Sequence, residues 1–241
     1  MRRVGLIGGT SWESTLAYYR LLNARSNAML GGLHTVEILL CSMNFGQVRS
    51  LVDGGRLDEL RSLWRTATQT LLEGGAGLVA VCSNAGHARV EWIEDLLRDA
   101  SVPLVHIVDA TAQAVQRAAA GEAGRVGILG TRETMRSDGY YVRRLADRWQ
   151  MQALLPTAPE QDQLQRIIFD EIARGFLDPA SRARVLAIAE RLVADGATAV
   201  VLACTELPLL VATEDAPAPM FDTLSLHVDE ILRRATEGEA A

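Results

Sequence analysis

Apolar and polar positions change period along the chain. Short continuous apolar runs at Val4 to Ile7, Thr35 to Cys41, the stretch ending at Cys82, Pro103 to Ile107, Val126 to Leu129, Ala199 to Ala203 and Met220-Phe221 read as strands buried on both faces. Between them lie helical periods. Leu16, Tyr19 and Leu22 follow a helix start near Trp12, and Leu57, Leu60, Trp64, Ala67 and Leu71 recur at steps of three and four before Gly74-Gly75. Trp92, Leu96 and Leu97 mark another helix, then Asp109 to Ala119, the segment through Tyr140, Tyr141 and Leu145, Gln163 to Ala173, and Thr223 to Arg234. Asp178-Pro179 supplies an N-cap and first turn for a helix ending near Asp195-Gly196. After Ser42-Met43-Asn44-Phe45, the stretch containing Arg49 and Asp53-Gly54-Gly55 reads as a loop, and the tail Glu237–Ala241 as frayed. Strands alternating with helices predict an α/β protein with parallel sheets flanked by helices.

The pattern also repeats. Val4-Gly5-Leu6-Ile7-Gly8 matches Val126-Gly127-Ile128-Leu129-Gly130 at an offset of 122 residues, and the same offset carries Gly74 to Asn84 onto Gly196 to Glu206, pairing Cys82 with Cys204. Two pseudosymmetric lobes follow, with strand-end residues facing a shared site in a cleft between them, because open α/β sheets bind ligands at the carboxyl ends of their strands.

Composition narrows the function. The 241 residues, 49% hydrophobic and 22% charged, are enough for a substantial core. The net charge of −6 and scattered arginines predict no nucleic-acid partner, and no apolar run reaches the roughly 18 residues of a membrane span. Three cysteines make no disulfide framework and suit a reducing, cytoplasmic setting. All 24 basic residues are arginine, so no lysine can anchor pyridoxal phosphate or act as a base.

Cys204, followed by Thr205-Glu206-Leu207-Pro208, is the strongest candidate for chemistry: a short helix beginning there is expected to favour its thiolate. Two strand ends on opposite sides of a substrate could remove a Cα proton from one face and return one to the other, which is inversion without a cofactor. Thr10, Ser11, Asn84, Thr131, Thr134 and Thr205 supply donors for the substrate carboxylate. His87 anchors a helix start, while His34, His106 and His227 are isolated and predict no metal site.

The segments GLIGGTSWEST, LGGLHTVEILL, VCSNAGH, ILGTRETM, IIFDEIARG, ACTELPLL and PMFDT together resemble the aspartate/glutamate racemase superfamily, in particular its amino-acid racemase branch, over essentially the whole chain. The resemblance implies a cofactor-independent, two-base reaction on a small amino acid, two lobes with the site between them, and a homodimer. It also implies that the last helix returns to the first lobe, giving lobes of 1–104 plus 213–241 and of 105–212.

The chain departs from the family's pattern in two respects, at the first catalytic segment and at the substrate side-chain contact. Counting from His87 and Asn84 places Ser83 at the first catalytic position, whereas the repeat places Cys82 there; both stand as candidates beside Cys204. Ala85 replaces a threonine that contacts the substrate carboxylate. Arg49 matches an arginine that aspartate racemases use near the side-chain carboxylate, but Asp162 and Gln163 stand where they carry a lysine. Aspartate or glutamate is the favoured substrate. The alternatives are a decarboxylase or cis–trans isomerase of the same superfamily, some of which need one cysteine only, and a non-catalytic amino-acid-binding protein.

Overall fold

The computed structural model describes residues 1–119, 124–215 and 218–237. Pro217 and residues 238–241 of the expected frayed tail lie outside them. The chain forms two compact units, Met1–His106 with the chain from His227 on, and Ile107–Leu226.

In the first unit, β1 (Val4–Gly8) is followed by α1 (Trp12–Leu30), β2 (Ile38–Ser42), α2 (Phe45–Asp53), α3 (Leu57–Glu73), β3 (Leu78–Val81), a 3-10 stretch over Ala85–Trp92, α4 (Glu94–Asp99) and β4 (Leu104–Val105). The sheet is parallel in the order β2-β1-β3-β4. Leu60, Trp64, Ala67 and Leu71 of α3 are buried against one face with Ile7, Val79 and Val81, while Leu57 is exposed.

The second unit has α5 (Ile107–Ala118), β5 (Arg125–Gly130), α6 (Tyr140–Trp149), β6 (Gln152–Leu154), α7 (Ala158–Arg166), α8 (Pro179–Ala194), β7 (Ala199–Ala203), β8 (Met220–Asp222) and the start of α9 (Thr223–Thr236). Its parallel sheet has the matching order β6-β5-β7-β8. Its core joins Val126, Ile128 and Leu129 to Val185, Ile188 and Leu192 of α8.

Several expectations are corrected. Arg49 lies on α2, not in a loop: the Asn44 side chain accepts the Gln47 N–H and caps a helix that survives Gly46. The helix read from Gln163 starts earlier, at a Thr157/Glu160 capping box with Pro159 in its first turn, and passes into a π turn at Ile167–Glu171. Ile107 opens α5 rather than closing a strand. The expected boundary at 212/213 also moves. Met220–Asp222 pairs with β7, and the Thr223 hydroxyl donates to Leu202 O at 2.9 Å, so 213–226 belongs to the second unit. From His227 the chain belongs to the first unit, where Ala235 O accepts the Arg2 N–H at 2.7 Å.

Candidate active site

In the first unit the candidate residues follow the carboxyl ends of three neighbouring strands. Gly8 leads into Gly9, at φ 87° with the Met43 backbone where a Cβ would stand. The Gly9 N–H donates to Thr15 Oγ1 at 2.9 Å, and that hydroxyl donates to Ser11 O at 2.8 Å, closing the turn. Ser11 is the N-cap of α1, accepting the Ser14 N–H at 3.2 Å. Thr10 Oγ1 is buried and makes no hydrogen bond among the described residues. Next to this turn is the end of β3, tied to α1 by the Ser14 hydroxyl donating to Cys82 O at 2.9 Å. Arg49, after β2, is exposed and paired with Asp53 at 3.0 Å.

The sheet register decides how the two strand ends correspond. Ile7 pairs with Val81, and its repeat equivalent Leu129 pairs with Leu202. The β1-to-β5 offset is therefore 122 residues, but the β3-to-β7 offset is 121, one less than the sequence repeat indicates. The loops agree. Gly75 and Gly196 are the left-handed glycines before the two strands, and the bond from Gly77 N–H to Arg3 O recurs from Thr198 N–H to Arg125 O. Ser83, not Cys82, thus stands where Cys204 stands, and Cys82 matches Ala203. Cys82 is fully buried, and burial pushes its thiol far up, away from the thiolate. Ser83 is partly exposed; its hydroxyl accepts the Gly86 N–H at 3.2 Å, and its carbonyl accepts from His87 Nδ1 at 2.7 Å, so that nitrogen carries a proton. His87 does hold the start of the 3-10 stretch, with its N–H donating to Asn84 O. Asn84 is buried there.

In the second unit, Thr131 and Thr134 follow β5 and Cys204, Thr205 and Glu206 follow the adjacent β7. Thr134 is buried, its hydroxyl 3.2 Å from that of Thr131. The Cys204 Sγ–H donates to Glu206 Oε2 at 3.0 Å, and the Thr205 hydroxyl donates to the same oxygen at 2.8 Å. Here the expected thiolate is not favoured. Burial, the Glu206 charge and its hydrogen bond push the Cys204 thiol well above its ordinary value, outweighing the Glu206 and Leu207 N–H groups that pull it down. Leu207–Leu209 is only a single 3-10 turn.

Two side chains escaped the sequence reading. Glu206 is the hydrogen-bond partner of the thiol; its place two residues beyond the cysteine was the only signal. Arg132, just after Thr131, places its guanidinium 2.5 Å from Asp162, and its N–H donates to Gln165 Oε1 at 3.0 Å. The region with no lysine therefore holds a cation from a different strand end. Among the described residues, no group of three or more His, Cys, Asp or Glu is placed to hold a metal ion, and no helix is long and apolar enough to cross a membrane.

Two parallel four-stranded sheets, each with polar groups at its strand ends, define the class of an α/β protein whose strand-end arrangement occurs once in each unit. The chain belongs to the Asp/Glu/hydantoin racemase family, whose model matches residues 7–231. It is similar to a Yersinia pestis protein provisionally described as an Asp/Glu racemase, with 34% identity and a TM-score of 0.89 over 98% of this chain and 99% of that one. It is also similar to an aspartate racemase homologue from Pyrococcus horikoshii, at 30% identity and a TM-score of 0.84 over 98% and 100%. The aspartate racemase of Picrophilus torridus, 18% identical with a TM-score of 0.75 over 98% and 94%, shares the fold.

Proposed function

We propose that this protein is a cofactor-independent amino-acid racemase acting on aspartate or glutamate, with Cys204 and Ser83 serving opposite faces of the Cα in a cleft between the lobes. The observation that carries the reading is the common register of Ser83 and Cys204 at the two sheets' carboxyl ends. Cys204 is the stronger acid–base group and Ser83 the weaker, so the halves are unequal. Cys82 has the structural role of a core residue.

Hydroxyls of Thr10, Ser11, Thr131, Thr134 and Thr205, with Asn84, would hold the α-carboxylate and the charge that develops on it. Arg49 supports an acidic substrate, since an exposed ion pair with Asp53 is worth little and is readily exchanged for a substrate carboxylate. Arg132 supports it from the second half-site. Exposed Trp12, Leu16 and Tyr19 on one side of α1 suit a homodimer contact, and three free cysteines suit a reducing cytoplasm.

The test is incubation of L- and D-aspartate, L- and D-glutamate and a neutral amino acid in D₂O, following Cα–H exchange and chirality. Exchange with inversion is expected for the acidic substrates; binding without exchange would leave an amino-acid-binding protein instead. The hydroxyl at Ser83 favours one second reading, a superfamily reaction needing a single thiol, such as a decarboxylation whose carbanion is protonated by Cys204. Release of CO₂ without racemisation would identify it.

A further inference from the structure

The two half-sites differ by more than a thiol and a hydroxyl. In the register that aligns Ser83 with Cys204, Thr205 aligns with Asn84 and Glu206 with Ala85. Both strands then enter a 3-10 turn, so the comparison extends past the strand ends. The second half-site therefore has a carboxylate where the first has a methyl group.

That carboxylate is oriented. One oxygen, Glu206 Oε2, accepts from both the Cys204 thiol at 3.0 Å and the Thr205 hydroxyl at 2.8 Å. Two donors on one oxygen require it to be an acceptor at rest, so the shared proton sits on sulfur. A thiol cannot take a proton from carbon until it has lost its own.

We propose that Cys204 and Glu206 form a proton-sharing pair in which Glu206 Oε2 takes the thiol proton when Cys204 acts as a base, a device confined to the second half-site. This rests on the racemase reading for its use but not for its existence. The S–H bond breaks, its electron pair stays on sulfur, and an O–H bond forms on Glu206. The thiolate then takes the Cα proton, leaving that bond's electron pair on carbon, and a donor on the opposite face completes the inversion. When the product leaves, Glu206 returns its proton to solvent and the donor on the opposite face, left deprotonated, regains one from solvent. Where Cys204 acts as the acid, the resting thiol donates directly and Glu206 remains a carboxylate.

The pair has a signature that a merely structural Glu206 would lack. A proton passed inside the pair leaves net protonation unchanged, so turnover for the enantiomer deprotonated by Cys204 is expected to be flat with pH across the neutral range. In Glu206→Gln the proton must go to bulk water, and log kcat is expected to rise about one unit per pH unit until the thiol ionises. Glu206→Asp, which retains a carboxylate, is expected to stay flat.

The same proteins are treated with iodoacetamide from about pH 6 to about pH 10, and Cys204 modification is read by peptide mass spectrometry. Removing the negative charge is expected to move the alkylation midpoint down by about one unit or more in Glu206→Gln. An unchanged midpoint, or a flat kcat profile in Glu206→Gln, overturns the proposal. If the wild type neither exchanges nor inverts any substrate, the racemase reading fails on its own and the alkylation midpoints alone decide the pair.

Discussion

The Cys82 backbone N–H donates to Ile7 O at 2.9 Å, and this bond continues the β1–β3 ladder one residue past the strand. It holds Cys82 inside the sheet as the counterpart of Ala203, leaving Ser83 at the exit where Cys204 stands in the other sheet. Ser83→Ala is therefore expected to lower Cα exchange by about 100-fold or more with little loss of stability. Cys82→Ser puts a hydroxyl into a dry site and is expected to cost about 1–3 kcal/mol while leaving kcat within about threefold. Parallel urea melts and exchange rates check both; loss of turnover in Cys82→Ser alone, with stability intact, would restore the repeat-based pairing.

His227 links α9 to two other elements of the first unit. Val105 O can only accept, so Nε2 carries the proton at 2.9 Å, and Nδ1 accepts from the Tyr18 hydroxyl at 2.7 Å. Burial lowers its pKa to about 4 although the Val105 bond opposes this. The unfolded imidazole titrates near 6.5, so between about pH 6.5 and about pH 4 the unfolded chain binds more protons. Stability is thus full above that window and falls as pH drops through it, by on the order of 3 kcal/mol at its lower end. Urea midpoints at about pH 7 and about pH 4.5 measure the fall, and His227→Gln is expected to reduce it.

Asp109 on α5 accepts two bonds from Arg144 at 2.7 Å and one from Trp149 Nε1 at 2.9 Å, both on α6. Burial alone would raise its carboxyl, but these bonds outweigh it and hold the group below the usual carboxylate range. A depressed carboxylate contributes stability above its unfolded value near 3.9, lost as pH falls through the lower folded value. Asp109→Asn is expected to cost about 2–3 kcal/mol at neutral pH, and to remove part of the acid dependence below about pH 4. Thermal melts across that range would show it.

Gly9 tests the turn after β1. A side chain there meets both a left-handed φ of 87° and the Met43 backbone. Gly9→Ala is expected to destabilise by about 3 kcal/mol or more, whereas Gly55→Ala, at φ 65° in open space, pays only the backbone strain of about 1 kcal/mol. Similar costs at the two positions would mean that the turn yields.

Strands were legible because runs such as Leu78–Val81 and Ala199–Ala203 are buried on both faces and so read as unbroken apolar stretches. The one-residue slip between the halves was not. Matching Gly74 with Gly196 aligned two cysteines and looked consistent, but the left-handed glycine is Gly75, a property of φ that a GG pair does not disclose. The helix that carries Arg49 is hidden in the sequence because it is short and holds Gly46, and its Asn44 cap is evident only from the placed side chain. Thr131 and Thr134 follow β5, and Cys204 and Thr205 follow β7, its neighbour in the sheet, an adjacency that the runs and turns of the sequence do not disclose. Glu206 was beyond sequence reasoning, since its bond to Cys204 depends on how the chain turns after β7.

The most direct measurement of the central claim is Cα–H exchange with chiral analysis of L- and D-aspartate in D₂O, with wild type and Cys204→Ser side by side. Wild type is expected to incorporate deuterium and invert the substrate, and Cys204→Ser to lose both by about 100-fold or more while remaining folded. Exchange that persists in Cys204→Ser, or its absence from wild type with every acidic substrate, would contradict the account.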